Sequence, residues 1–290
     1  MTRVGFVLGA GGAGGWPFHL GVVEAARDAF GHDAATAELV VGTSSGAIVG
    51  GALTNGASIE DFLIATTVEP TAEDKAAMSA AYQAEKVTGL RRFAPLSLSL
   101  AGRGISGRTP GLFLAGVLPA GPTPTAYLGS VPSLAHAPVW PANLWVPAVR
   151  VVDSELVVFG RDCTDVPMMD AIEASVAVPG VFRPKRIGKH RYIDGATRSA
   201  TNLDLLADRN LDVVIVSSIM TRPGRRPSRI IARRRLPIEI AAVERSGTRV
   251  IVVEPDKATT AMFPGFPRTG PDVAKRIHSA AYELATAAFS

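Results

Sequence analysis

The stretch Val40-Val41-Gly42-Thr43-Ser44-Ser45-Gly46-Ala47-Ile48-Val49 constrains this chain most. Two β-branched residues run into a Gly-x-Ser-x-Gly pentapeptide, and small and apolar residues follow. This is the pattern of a nucleophile elbow, a sharp turn between a buried strand and a helix. Such a turn holds its central residue in a strained backbone conformation, so the neighbours must be small. Gly42 and Gly46 supply that room, and Ala47, Gly50 and Gly51 let the following helix lie close to the sheet. Ser44 would then present its hydroxyl at a helix N-terminus, where the dipole favours developing negative charge. The alternative is a Gly/Ser turn without chemistry, because Gly-x-Ser-x-Gly also recurs by chance.

A second glycine device lies upstream. Val4-Gly5-Phe6-Val7-Leu8 reads as a short buried strand, followed by Gly9-Ala10-Gly11-Gly12-Ala13-Gly14-Gly15 and a helix through His19-Leu20-Gly21-Val22. Strand, glycine loop and helix let backbone N–H groups converge on an anion. Gly9, Gly11 and Gly14 match Gly-x-Gly-x-x-Gly, so a dinucleotide site is one reading. No lysine follows the glycines, which excludes a Gly-Lys-Ser/Thr phosphate loop. The third reading is an oxyanion hole serving Ser44. A dinucleotide site wants an acidic residue ending the second strand, but residues 39–41 end in the serine elbow, which favours the oxyanion hole. If the two strands run parallel in one sheet, both turns open at the same carboxyl edge.

The chain is 290 residues long, 47% hydrophobic, with a mean hydropathy of +0.22, enough for a sizeable core. A net charge of +4 says little about nucleic acid, and no nucleic acid partner is expected. The single cysteine, Cys163, excludes an internal disulfide. No apolar run approaches the roughly 18 residues of a membrane helix. Val4–Leu8 is too short for a signal peptide. The expected location is cytoplasmic or peripheral to a membrane.

Residues 54–93 read as largely helical. Residues 95–147 are rich in proline and glycine and read as an irregular covering region, with Leu112, Phe113, Leu114, Leu118, Tyr127, Leu128, Trp140 and Trp145 either roofing the site or serving as ordinary core. Strands follow at 146–152 and 156–159, then a helix over 168–178 stopped by Pro179-Gly180. In Tyr192-Ile193-Asp194-Gly195-Ala196, Asp194 ends a short apolar strand and is followed at once by Gly-Ala; Asp before glycine is usually a turn residue. Residues 213–216 and 250–253 are buried strands, and 273–289 is an amphipathic terminal helix. Between those strands stand arginines 222, 225, 226, 229, 233, 234 and 235. The segment from Arg222 to Arg235 either contacts anionic head groups or is a solvated basic face.

A serine hydroxyl needs a base. The histidines are His19, His32, His136, His190 and His278, and none has a strong local setting. His278 follows Asp194 and would satisfy a Ser, Asp, His order, yet it lies in a helical pattern. A Ser-Asp pair therefore competes with a triad.

The glycine loop 9–15, the elbow Gly42-Thr43-Ser44-Ser45-Gly46-Ala47 and Asp194-Gly195-Ala196 resemble, in order, the three motifs of the patatin-like phospholipases. Residues 174–182 also resemble the family segment that precedes its Asp-Gly-Gly/Ala. The resemblance covers residues 4–206 and is weak from 70 to 145. It implies a three-layer α/β/α fold with a mainly parallel central sheet, here one domain over 1–290. It also implies acyl-ester hydrolysis by a Ser-Asp dyad, without metal or cofactor. By position, Ser44 is the nucleophile, Asp194 the base, and Gly11, Gly12 and Ala13 the oxyanion donors. Two departures stand out: Gly14 replaces the basic residue often found in the family's loop, and one extra residue lies around Trp16-Pro17-Phe18. The expected function is lipid ester hydrolysis, on phospholipid or lysophospholipid. The alternatives are a Ser-His-Asp carboxylesterase and a nucleotide- or phosphate-binding protein in which Ser44 is structural.

Overall fold

The computed structural model describes residues 2–12, 14–67, 72, 76, 79–80, 94–107, 109–125, 140–263 and 270–290. In chain order these form β1 (Val4–Leu8), α1 (Gly15–Phe30), β2 (Leu39–Gly42), α2 (Ser45–Thr54), α3 (Ile59–Thr67), α4 (Leu98–Ser106), α5 (Pro110–Val117), β3 (Leu144–Arg150), β4 (Leu156–Phe159), α6 (Met168–Ser175), β5 (Lys185–Ile187), β6 (His190–Asp194), β7 (Val213–Ser217), α7 (Pro227–Glu244), β8 (Arg249–Val253), α8 (Lys257–Met262) and α9 (Pro271–Phe289). Short 3₁₀ turns occupy Gly195–Thr197 and Leu203–Leu206.

The eight strands form one sheet in the order β5-β6-β3-β2-β1-β7-β8, with β4 paired to β3. Pairings β1–β2, β1–β7, β2–β3 and β7–β8 are parallel. Pairings β3–β4, β3–β6 and β5–β6 are antiparallel. The sheet thus has a parallel body and an antiparallel flank, and the flank carries Asp194.

Alternation along the strands makes the layers, because successive side chains point to opposite faces. Phe6, Leu8, Val40, Leu144, Val146, Ile215 and Ile251 face one cluster, which is filled by Phe18 and Leu20 of α1, Ile48 of α2 and Ile277 of α9. Val7, Val41, Trp145, Val214 and Val216 face the other, under Leu236 and Val243 of α7 and Leu203 and Leu206. Burial on both faces explains why these strands read as unbroken apolar runs. A smaller cluster joins Leu100 of α4 and Leu112 and Ala115 of α5 to Val149 and Ile193 of β3 and β6. Removing a side chain such as Phe6, fully buried here, is expected to cost about 3–5 kcal/mol.

The stretch 95–147 departs from expectation. Its described residues contain two helices, α4 and α5, packed as an antiparallel hairpin: Ser97 N–H donates to Gly116 O, and Thr109 N–H to Gly104 O. Pro110 starts α5 in its first turn, where a missing N–H costs nothing. Leu112 is core, Trp145 is core within β3, and Leu114 and Leu118 line a pocket. Tyr127 and Leu128 lie outside the described residues, as does most of 68–93. The helix expected over 168–178 ends at Ser175.

Candidate active site

Ser44 sits between β2 and α2 with φ 56° and ψ −117°, a left-handed conformation rare for a residue with a Cβ. The turn closes because its flanks are glycine. A Cβ on Gly42 would lie 2.6 Å from Gly46 O, and one on Gly46 would collide with Leu8 O of the neighbouring strand. Ser44 precedes α2 but makes no side-chain cap, so its hydroxyl stays available. Its N–H donates to Ser175 Oγ at 3.0 Å, and Ser175 Oγ donates to Pro147 O at 2.8 Å.

Register brings Asp194 to the same level. β2 meets β3 at Val41↔Trp145, and β6 meets β3 at Ala148↔Asp194. Three residues past Trp145 is Ala148, and three past Val41 is Ser44. Asp194 is 2% exposed, and its Oδ1 accepts the Ala196 N–H at 2.7 Å. Burial pushes its carboxyl up to about 7, while the Ala196 N–H and a hydrogen bond with the Ser44 side chain pull the other way. A carboxyl group poised there is half ionised near neutrality, the condition a general base needs.

The glycine loop faces the same volume. Gly9 and Ala10 spend their N–H groups on Ser217 O (3.0 Å) and Ala200 O (2.8 Å), which anchors the loop to β7 and to the segment after Asp194. The Gly11 and Gly12 amides have no acceptor among the described residues. Gly12 has φ +67°, which a side chain would strain, and a Cβ on Gly11 would strike Ile219 Cδ1 at 2.6 Å. Ala13 lies outside the described residues.

Ala10, Gly11, Gly12, Ser44 and Asp194 line one pocket of about 330 Å³. The family profile for patatin-like phospholipase matches residues 6–207, which span the loop, the elbow and Asp194. The chain belongs to the patatin-like phospholipase family. It is therefore a hydrolase of ester bonds, and lipid acyl hydrolysis is the activity that this membership implies. Among solved structures, VipD from Legionella pneumophila matches 100% of this chain and 67% of its own, with a TM-score of 0.51 at 14% identity. The type III effector protein ExoU matches over 99% of this chain and 53% of its own, with a TM-score of 0.42 at 15% identity. The likeness to VipD speaks for the fold. No curated protein sequence matches the chain.

The rest of this patatin-like pocket is mainly apolar: Leu114, Leu118, Val178, Met220 and Ile231 form its walls. Arg198 and Arg235 also line it. Arg198 donates to Asn202 Oδ1 (3.0 Å) and Asp204 Oδ1 (2.9 Å), and Arg235 to Glu239 Oε1 (2.9 Å). Glu239 is buried, and burial raises its pKa. No histidine lines the pocket among the described residues.

His19 lies beneath the loop, fully buried. Its Nδ1 is 2.8 Å from Ser217 Oγ and its Nε2 2.8 Å from Gly9 O, and burial lowers its pKa to about 3. It is a neutral brace for the loop. His278 lies 3.1 Å from Glu24, on the α1–α9 side. His190 begins β6, four residues before Asp194 on the same strand. His32 follows α1, and His136 is outside the described residues.

The arginines of 222–235 divide. Arg222 is buried, stacked 4.6 Å from the Phe263 ring, and Arg235 belongs to the pocket. Arg229 and Arg233 donate to backbone carbonyls of Pro223, Arg222 and Gly224. Arg225, Arg226 and Arg234 are exposed.

Three positions escaped the sequence reading as site residues: Ser175, Asn202 and Arg198. Asn202, at φ 51°, donates from Nδ2 to Thr43 Oγ1 (3.1 Å) and Ser199 O (2.8 Å), tying the elbow to the chain after Asp194. Ser175 falls in the segment 174–182 that carries the family resemblance, which was its only signal. Nothing local in the sequence shows that its hydroxyl meets an amide 131 residues away.

Proposed function

We propose that this protein cleaves lipid acyl esters, of phospholipid or lysophospholipid, with Ser44 as nucleophile and Asp194 as sole base. One observation carries this reading. A buried carboxyl group with a pKa near 7 shares a pocket with a strained serine, and the described lining of that pocket holds no histidine.

Asp194 takes the Ser44 proton as Oγ bonds to the ester carbonyl carbon. The carbonyl oxygen gains the electron pair and faces the Gly11 and Gly12 amides, with Ala13 the third donor by family position. Each such donor is worth about 10²–10³ in turnover. Collapse of the adduct breaks the ester C–O bond, and the leaving alkoxide takes the proton from Asp194. Water then repeats the sequence on the acyl-serine, with Asp194 again the base. The apolar walls suit an acyl chain, and the arginines between Arg222 and Arg235 suit an anionic lipid surface. Peripheral contact with such a membrane is part of the proposal.

A fluorophosphonate probe tests the dyad. It should label the wild type at Ser44, and single replacement of His19, His32, His136, His190 or His278 should leave labelling and hydrolysis of a p-nitrophenyl ester measurable. A folded histidine variant as inactive as Ser44→Ala would replace the dyad with a triad.

A further inference from the structure

Nine large apolar side chains are exposed among the described residues. Five of them, Leu98, Ile105, Phe113, Val117 and Leu118, lie on or just after the α4–α5 hairpin, and Val178 and Val181 lie on the loop after α6. Seven of the nine thus fall on two segments that are bonded to each other, and exposed apolar surface concentrated in this way marks an interaction surface. Leu98 and Ile105 are 73% and 67% exposed, seven residues apart on one side of α4. Phe113 and Val117 are four apart on α5. The hairpin and the loop form one body: Gly180 N–H donates to Pro119 O at 3.0 Å and Gly121 N–H to Phe182 O at 3.1 Å.

This patch is continuous with the pocket mouth. Leu118 and Val178 line the pocket and are also 42% and 36% exposed. The pocket is also lined by α7, which contributes Ser228, Ile231 and Arg235. The arginines at the start of α7 are not neutralised. Among the described residues no carboxylate pairs with Arg225, Arg226, Arg229, Arg233 or Arg234, and the acids Asp204 and Glu239 are taken by Arg198 and Arg235. Arg222 and Arg229 are held below the usual guanidinium range by burial first and then by neighbouring arginines. Such mutual repulsion is not offset by a counter-charge among the described residues.

We infer that the α4–α5 hairpin and the Val178–Val181 loop dip into an anionic lipid bilayer, with the α7 arginines on its head groups, so that the pocket mouth opens onto the acyl layer. The assignment rests on the lipid-hydrolase reading above. An apolar patch alone would equally suit a second copy of the chain. The arginines decide for lipid, because a self-matching face would bring the same positive charge from both copies, with no carboxylate paired to those arginines among the described residues. The two parts act differently: apolar area adsorbs to any bilayer, whereas arginines act on anionic ones and are screened by salt.

The test is co-sedimentation of the full chain with vesicles of phosphatidylcholine alone and of phosphatidylcholine with phosphatidylglycerol. Leu98→Asp/Ile105→Asp should weaken binding to both by about 10-fold or more, as expected for losing two apolar side chains. Arg225→Gln/Arg226→Gln/Arg233→Gln/Arg234→Gln should weaken binding only to the anionic vesicles, and most at low salt. Hydrolysis of a soluble p-nitrophenyl ester and light scattering are followed on the same samples. Unchanged vesicle binding by the Leu98/Ile105 variant overturns the proposal. So does a wild-type dimer that this variant dissociates, which would make the face a contact between copies. If the vesicles bind as expected but no variant or wild type hydrolyses the soluble ester, the docking face stands and the hydrolase reading falls.

Discussion

Consecutive serines at the end of β2 open onto two different buried regions. Ser44 faces the pocket and Asp194. Ser45 faces the space under the glycine loop, 3.3 Å from Gly9 O and 3.5 Å from His19 Nε2. By residue type the second region looks like the better catalyst, since serine beside histidine is the familiar pairing. Its environment argues otherwise. Both His19 nitrogens are engaged at 2.8 Å, and the ring is sealed from the pocket. Burial disfavours charge in both regions but with opposite consequences. It drives the imidazole to about 3, where it stays neutral and accepts a further proton poorly, and lifts the carboxyl to about 7, the range in which a carboxylate accepts a proton most readily near neutrality. Under the proposed dyad, desolvation would thus make the weaker free base the one that serves Ser44.

The largest effect expected from this contrast separates the serines. Ser44→Ala should lower soluble-ester turnover by about 10³-fold or more, because the covalent route is lost. Ser45→Ala should stay within about 10-fold of wild type. Equal losses from both, with native circular dichroism, would erase the distinction between the regions.

Asp194→Asn should cost about 10²–10⁴ in turnover, the range of a general base. It should also change pH behaviour in two ways. Wild-type kcat/KM should rise about tenfold per pH unit below about 7 and level off above it, a limb the variant lacks. In stability the sign is reversed. The folded carboxyl keeps its proton up to about 7 and the unfolded one loses it near 3.8, so folding takes up a proton between these values. Wild-type stability therefore falls as pH rises across that window. The amide has no proton to lose, so at pH 8 the variant should be more stable than wild type by about 2–4 kcal/mol, and near pH 3 this difference should vanish. Thermal melts at both pH values measure it. A variant no more stable at pH 8 than at pH 3, relative to wild type, would contradict a buried, ionising Asp194.

The smallest effect belongs to His19. His19→Ala leaves Gly9 O and Ser217 Oγ without their partner, at a cost of about 1–3 kcal/mol in stability, and should loosen the loop enough for about a 10-fold loss of turnover. Its pH profile should keep the wild-type limb near 7. Loss of that limb with retained folding would assign it to the histidine instead of Asp194.

Much of the parallel body was legible in the chain. β1, β2, β7 and β8 are short apolar runs bounded by turn residues, and their two-sided burial needs no information beyond composition and length. Both glycine devices were legible too, because close backbone approach admits one residue type, and the elbow turn is local. The α4–α5 hairpin was hidden, since proline and glycine in 95–147 read as irregular although Pro110 begins a helix and Gly104 and Gly116 lie at the hairpin's contact. Which serine faces which partner depends on the strained φ of Ser44, a property of the folded turn. That Asp194 reaches Ser44 depends on the register of β2 and β6 against β3, and its pKa depends on water being excluded by elements far apart in sequence. The same holds for Ser175, which meets Ser44 only across the fold, and for the α7 arginines. Their charge was plain in the sequence, but tertiary packing alone put them beside the pocket mouth, because proximity between distant segments is set by burying the sheet's two faces and not by any local pattern.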